Sequence, residues 1–282
     1  MMATTKQIFF TTFIALFSIA IATAVAAEES QLVSVGDHDL EVRIQGNGEH
    51  TVVFESGLGH DLSVWQQVAD TISQSATVVS YSRAGYGQSE ASDQPRTLVQ
   101  IATELNDLLL AIDIDNTVIL VGHSAGGFYI RKYAELYPEK VEGLVFVDPT
   151  PEQIFVRLRT LDQERALAEE ATIASMTPDR VKPEDIYFSQ ITSTGVYPGS
   201  GSLPDVPAVL ITAMKQEHPQ FLLHSIEGKG IWLELHEQLV SQFSDHLHVI
   251  SSVSGHNVHR QHPDLVVDAI RYVLRQASAT EN

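Results

Sequence analysis

The chain contains no cysteine, which excludes disulfide staples, thiolate metal sites and a cysteine nucleophile together. Positive charge is also scarce, with 17 Lys and Arg against 36 Asp and Glu for a formal net charge of −19. A surface of that sign repels polyanions, so nucleic acid and anionic lipid are poor candidates as partners and the charge serves solubility. Internal repeats and low-complexity tracts are lacking as well. What is present is enough apolar sequence, 44% of 282 residues, to bury a large core as one domain.

Only one long hydrophobic run occurs, at the start. Lys6 precedes an apolar stretch from Ile8 to about Ala22, then Ala24-Val25-Ala26 and the polar Glu28-Glu29-Ser30. That order predicts a secretory signal peptide over 1–26, cut after the A-x-A site. An uncleaved anchor is the alternative, because the run approaches spanning length. Cleavage removes Lys6 and no acid, leaving 16 basic against 36 acidic side chains, or −20. The expectation is a secreted or periplasmic domain, 27–282, without stable membrane association.

From residue 38 onward, short β-branched runs alternate with helix-period segments. The runs are TVVF (51–54), ATVVSY (76–81), TVILV (117–121), LVFV (144–147), AVLITA (208–213) and LHVI (247–250). Most are apolar at consecutive positions, as strands buried on both faces of a parallel sheet require. Between Thr97 and Ile112 the residues Leu98, Ile101, Leu105, Leu108 and Ile112 recur at steps of three and four, marking an amphipathic helix. Ser63-Val64-Trp65-Gln66 reads as a capping box opening another. Further helices are expected over 125–137, 231–243 and 263–275, the last opened by Pro263. The alternation predicts an α/β fold built on a doubly wound, mostly parallel sheet with helices on both faces.

The rhythm breaks between Asp148 and Val206. Charged helical sequence, several prolines and the loop TGVYPGSGSLPD fill 150–205, which predicts a small helical insertion after the strand ending at Asp148. Ligands bind outside the carboxyl ends of such strands, so an insertion there sits over the site as a lid; a surface excursion is the plainer alternative.

Gly122-His123-Ser124-Ala125-Gly126 has the G-x-S-x-G form. The chemistry wants that spacing because the serine occupies a strained strand-to-helix turn, and the flanking glycines let backbone approach without Cβ clashes. The pattern alone is weak. Its context, a buried strand before and FYIRKYAELY after, is the one the motif requires. A serine hydroxyl also needs an imidazole to take its proton.

Four segments, SGLGHDLSVW (56–65), SRAGYGQSE (82–90), GHSAGG (122–127) and SGHNVHRQHPDLVVDAI (254–270), occur in an order that resembles the α/β-hydrolase family, in its serine-nucleophile, esterase- or lactonase-like branch. The resemblance spans about 35–275 and implies the α/β-hydrolase fold with a Ser, acid, His triad in that chain order. It implies Ser124 as nucleophile and His256, on the loop before the last helix, as base. His123 flanks the nucleophile and is read as packing beside the turn. The expected acid is Asp148, which ends LVFVD; the alternative is Glu217, the nearest carboxylate after the next strand, where TAMKQEHP departs from the family's G-x-x-D. The resemblance also implies the amides of Leu58 and Ala125 as oxyanion donors. The turn carrying Ser82, Arg83, Gly85 and Gly87 matches a family feature that is mainly structural, and no catalytic role is assigned to it.

His246, His248, His256, His259 and His262 are divided between a strand, a loop and a helix start, a spacing that argues against a metal site. Neither cofactor nor metal is expected. A serine nucleophile implies an acyl-enzyme, so the expected function is a secreted serine hydrolase of carboxylic esters or lactones with a small-molecule acyl substrate. The alternatives are amide or peptide cleavage in the manner of a proline iminopeptidase, with lid acids such as Glu152, Glu169 and Glu170 holding the substrate amine, C–C bond hydrolysis, and a non-catalytic binder on the same fold.

Overall fold

A computed structural model describes residues 29–200 and 202–280. The predicted signal segment lies outside the described residues. The strands are β1 (Gln31–Val35), β2 (His38–Gln45), β3 (Thr51–Glu55), β4 (Thr77–Tyr81), β5 (Val118–His123), β6 (Val141–Val147), β7 (Ala208–Ala213) and β8 (His246–Ser251). They form one eight-stranded sheet in the order β1-β2-β4-β3-β5-β6-β7-β8. From β4 to β8 all pairings are parallel, and β1 and β2 join antiparallel at one edge.

The helices are α1 (Gln66–Ile72), α2 (Leu98–Ala111), α3 (Gly126–Leu136), α4 (Ile154–Leu161), α5 (Gln163–Met176), α6 (Lys182–Thr194), α7 (Ile226–Val240), α8 (Val258–Gln261) and α9 (Pro263–Thr280). Successive side chains of a strand face opposite ways, and the two faces of the central strands feed separate cores. Val53, Leu120, Leu144, Phe146 and Leu210 pack with α2 and α3 residues such as Leu105 and Ile130. Their neighbours Phe54, Val121, Val145 and Ile211 pack with Val68 and Ile72 of α1 and Val266, Ile270 and Val273 of α9. The continuous apolar runs therefore serve both layers, as a doubly wound sheet demands.

Two local readings differ from the structure. The cap near residue 63 is Asp61, whose side chain accepts from the Ser63 amide and starts a 3₁₀ turn, Leu62–Trp65; Ser63 turns its hydroxyl onto the same Asp61 carboxylate. A free carboxylate two residues upstream outcompetes the serine for the first amide of the turn. Strands β1 and β2 also precede the first run read from sequence, because Leu40, Val42 and Ile44 alternate with polar residues in the antiparallel edge.

Between β6 and β7 stand α4, α5 and α6. Ile191 of α6, with Phe188 beside it, packs on Leu98, Ala125, Phe128 and Tyr129, together with Leu58. Ile154, Leu158 and Ala166 of α4 and α5 pack on Trp232 and Leu235 of α7. The insertion thus rests over the carboxyl end of the sheet, against the segments that carry Leu58 and Ala125.

Candidate active site

Strand β5 delivers Ser124 at its end and α3 begins two residues later. Ser124 holds φ 54, a left-handed conformation in a residue other than glycine, and such strain persists only where the surroundings impose it. The surroundings are close backbone. A Cβ on Gly122 would lie 2.7 Å from the Gly126 carbonyl oxygen, and one on Gly126 would lie 2.4 Å from that of Glu55. The adjacent strand β6 ends in the same way, with Asp148 at φ 44. Two neighbouring strand ends thus turn sharply and lift their side chains above the sheet.

Asp148 is completely buried, and every strong contact of its carboxylate is directed. Oδ2 lies 2.7 Å from Nδ1 of His256. Oδ1 accepts the Ala213 amide at 2.9 Å and the Trp232 indole N–H at 2.8 Å. Burial pushes its pKa up, but the hydrogen bond and charge of His256, with His236 and Lys229 nearby, hold it below the ordinary aspartate value. The anion is the stable form.

The His256 imidazole is about one-third exposed. Its ring centroid is 4.7 Å from that of His123, the residue before Ser124. His123 is buried, and its Nε2 sits 2.9 Å from the His256 carbonyl oxygen, so it donates there in the tautomer carrying the proton on Nε2. Burial first, then the neighbouring His259 and His256, keep it far below the usual histidine range and therefore neutral. Glu217 approaches the same loop from the other side. It accepts the His256 backbone amide at 3.2 Å and the Gln261 side chain at 2.8 Å. The structure therefore brings Asp148 to the imidazole of His256 and Glu217 to its backbone.

Ser124 Oγ lies 3.3 Å from Thr150 Oγ1, and the Thr150 amide donates to the Ser124 carbonyl at 3.0 Å. Thr150, Trp232 and the Ala213 amide are contacts that sequence reading did not single out. Thr150 is two residues past Asp148 in Asp-Pro-Thr-Pro, a local signal; Trp232 is 84 residues away in sequence and leaves none. The Leu58 and Ala125 amides donate to no acceptor among the described residues. A Cβ on Gly57 would come within 3.1 Å of Ser124 Cβ, so the Leu58 loop runs directly beside the serine.

The three acids of the insertion are engaged elsewhere. Glu152 pairs with Arg131, Glu170 with Arg159, and Glu169 with Arg165 while accepting the Leu222 amide. Of the five clustered histidines, His248 binds Thr212, His246 the Phe243 carbonyl, and His259 is buried against Trp65 and His123. Arg83, by contrast, lies at the centre of a buried ionic cluster beside the Leu58 loop.

Residues 50–180 match the family model described as alpha/beta hydrolase fold. A protein of Hormonema carpetanum named "Probable transporter efuK" is 32% identical over 135 residues, 45% of this chain and 19% of that protein, so the chain spans about a fifth of that relative's length. An esterase of Thermogutta terrifontis superposes with TM-score 0.60 at 15% identity, covering 88% of this chain and 99% of the other. The enol-lactonase of Burkholderia xenovorans LB400 superposes with TM-score 0.58 at 18% identity, covering 87% and 100%. At such identities the likeness establishes the fold. Sheet order and superposition together give the chain the α/β-hydrolase fold, and the family-model match over 50–180 agrees with it.

Proposed function

We propose that this protein is a serine hydrolase that cleaves carboxylic esters or lactones through an acyl-enzyme, and that it acts outside the cytoplasm after its amino-terminal segment is removed. The observation that carries the reading is the 2.7 Å contact of a fully buried Asp148 with His256, beside a serine held at positive φ.

In this reading His256 accepts the Ser124 hydroxyl proton as Oγ attacks the acyl carbon, and Asp148 fixes the ring tautomer and stabilises the imidazolium. The Leu58 and Ala125 amides receive the oxyanion of the tetrahedral intermediate. Collapse breaks the bond to the alcohol, which leaves with the proton from His256. Water, deprotonated by the same imidazole, then attacks the acyl carbon, and the acid is released with Ser124 restored. For a lactone the alcohol stays attached, and the product is one hydroxy acid.

Ester or lactone is favoured over a peptide amine because Glu152, Glu169 and Glu170 each already pair with an arginine. A substrate ammonium group would have to displace those partners. Hydrolysis of a panel of short-chain p-nitrophenyl esters and lactones by the wild type and Ser124→Ala tests the reading. Turnover lost in the variant supports it; undiminished turnover in Ser124→Ala, or none on any acyl substrate by the wild type, overturns it.

A further inference from the structure

The segment Ser56-Gly57-Leu58 leaves β3 and passes over Ser124, and it owes its path to a residue that is distant in sequence. Arg83 is 1% exposed and spends its guanidinium on two consecutive carbonyls of that segment. Nη1 donates to the Ser56 oxygen at 2.7 Å and Nη2 to the Gly57 oxygen at 3.1 Å. The His60 amide donates to the same Gly57 oxygen at 3.2 Å.

The Gly57 carbonyl and the Leu58 N–H belong to one peptide unit. In a trans peptide they point in opposite directions, and the chain has no cis bond among the described residues. Holding the oxygen toward Arg83 therefore turns the Leu58 N–H away from it. A cation hydrogen-bonded to the carbonyl also polarises the peptide and strengthens its N–H as a donor.

Arg83 is itself held from the helical insertion. Glu184 of α6 takes Nε and Nη2 in a two-pronged contact, each at 2.9 Å, across 101 residues of sequence. Glu55, the last residue of β3, takes Nη1 and is further bound by the Tyr81 hydroxyl. The Tyr86 hydroxyl donates to Glu184 at 3.1 Å, and the Tyr129 ring lies 4.7 Å from the guanidinium carbon. A second pair, Arg96 with Glu104, adjoins, with Arg96 3.9 Å from Glu184.

Stability alone is a poor reason for this arrangement. Burying an arginine between two carboxylates costs desolvation that apolar residues of the same volume would avoid. What apolar residues cannot do is hold two carbonyl oxygens and fix the rotation of a peptide plane.

We propose that Arg83 is a positioning residue for the oxyanion donor, aiming and polarising the Leu58 amide, and that Glu184 holds Arg83 in that role and so makes the donor depend on the seated insertion. The proposal rests on the serine-hydrolase reading of the site. It assigns a function to the Ser82-Arg83-Ala84-Gly85 turn that the motif alone did not suggest. Glu184 thereby becomes a link between α6 and the chemistry, although it touches no reacting atom.

Losing one oxyanion donor outright costs roughly 10²–10³ in kcat. A donor misaimed rather than deleted is expected to cost about tenfold up to that ceiling. Arg83→Lys keeps the charge but loses the fork; Glu184→Gln keeps the shape and one acceptor, so it reports even where Arg83→Lys folds poorly.

The experiment uses the full chain with p-nitrophenyl butyrate. Functional sites are counted by endpoint titration with a fluorophosphonate, and kcat is expressed per titrated site. The expected result is a fall of about tenfold or more in kcat per site for both variants, with KM within about twofold of wild type. A merely structural role lowers the number of titratable sites and leaves kcat per site unchanged, and that result overturns the proposal alone. A wild type that neither turns over the ester nor takes the label overturns the reading of the site and this proposal with it.

Discussion

Asp148 and His256 are 108 residues apart in sequence and 2.7 Å apart in the structure, joined Oδ2 to Nδ1, while the other oxygen of the same carboxylate is anchored by the Ala213 amide and the Trp232 indole. A buried anion with two fixed donors on one oxygen has only its other oxygen left to offer. That geometry makes one acid, and one tautomer of one histidine, the natural pair.

Asp148→Asn is therefore expected to lower kcat by roughly three to four orders of magnitude, because an amide facing Nδ1 favours the wrong tautomer. Glu217→Gln is expected to change kcat by less than about threefold, since its carboxylate hydrogen-bonds the His256 backbone and Gln261 rather than the His256 ring. Steady-state kinetics on the two variants checks both; equal losses would contradict the assignment of the acid.

Trp232→Phe keeps the packing of the ring and removes one donor to a fully buried carboxylate. The expected cost is about 1–3 kcal/mol of stability, as for any charged group stripped of a buried partner. Urea unfolding measures it. A variant as stable as wild type would show that the indole contact carries no such energy.

Gly126→Ala places a Cβ 2.4 Å from the Glu55 carbonyl oxygen, with no flexible side chain in the way that can yield. Overpacking of this kind costs about 1–3 kcal/mol. The loss appears as a lower urea midpoint with an unchanged slope, and activity per folded molecule falls because the turn at Ser124 must shift.

Stability should rise with pH between about 4 and 6.5. Burial holds His236 at about 4 and His259 at about 3, and His123 well below its ordinary value. In that window the unfolded chain binds these protons and the folded chain does not, so the difference in bound protons favours folding as pH increases. Unfolding near pH 5.5 is expected to take up close to three protons from this group, or ~4 kcal/mol per pH unit at its steepest. Urea midpoints across the pH range test it; a flat profile contradicts the buried neutral state of these rings.

How much of this was legible in advance depends on how local the cause is. The central strands could be read because Val121, Val145 and Ile211 and their neighbours are buried on both sheet faces, leaving no polar alternation to confuse the pattern. Ser124 and His256 could be singled out because short motifs surround them. The antiparallel edge was harder: β2 alternates and sits beside a turn, so its apolar positions resemble ordinary surface sequence. Trp232, Thr150 and the Arg83–Glu184 link were not foreseen, because each is defined by where distant strands and helices end rather than by neighbours in the chain. The choice between Asp148 and Glu217 shows the same limit, since both flank the His256 loop and only the fold decides which reaches the ring.

The central claim is that Ser124 is a nucleophile activated by His256. Its most direct test is reaction of the wild-type protein with a fluorophosphonate followed by mass mapping of the peptide that carries the label. The account predicts a single adduct on Ser124, absent in Ser124→Ala and formed far more slowly in Asp148→Asn. No adduct at all, or an adduct that maps to another residue, would contradict it.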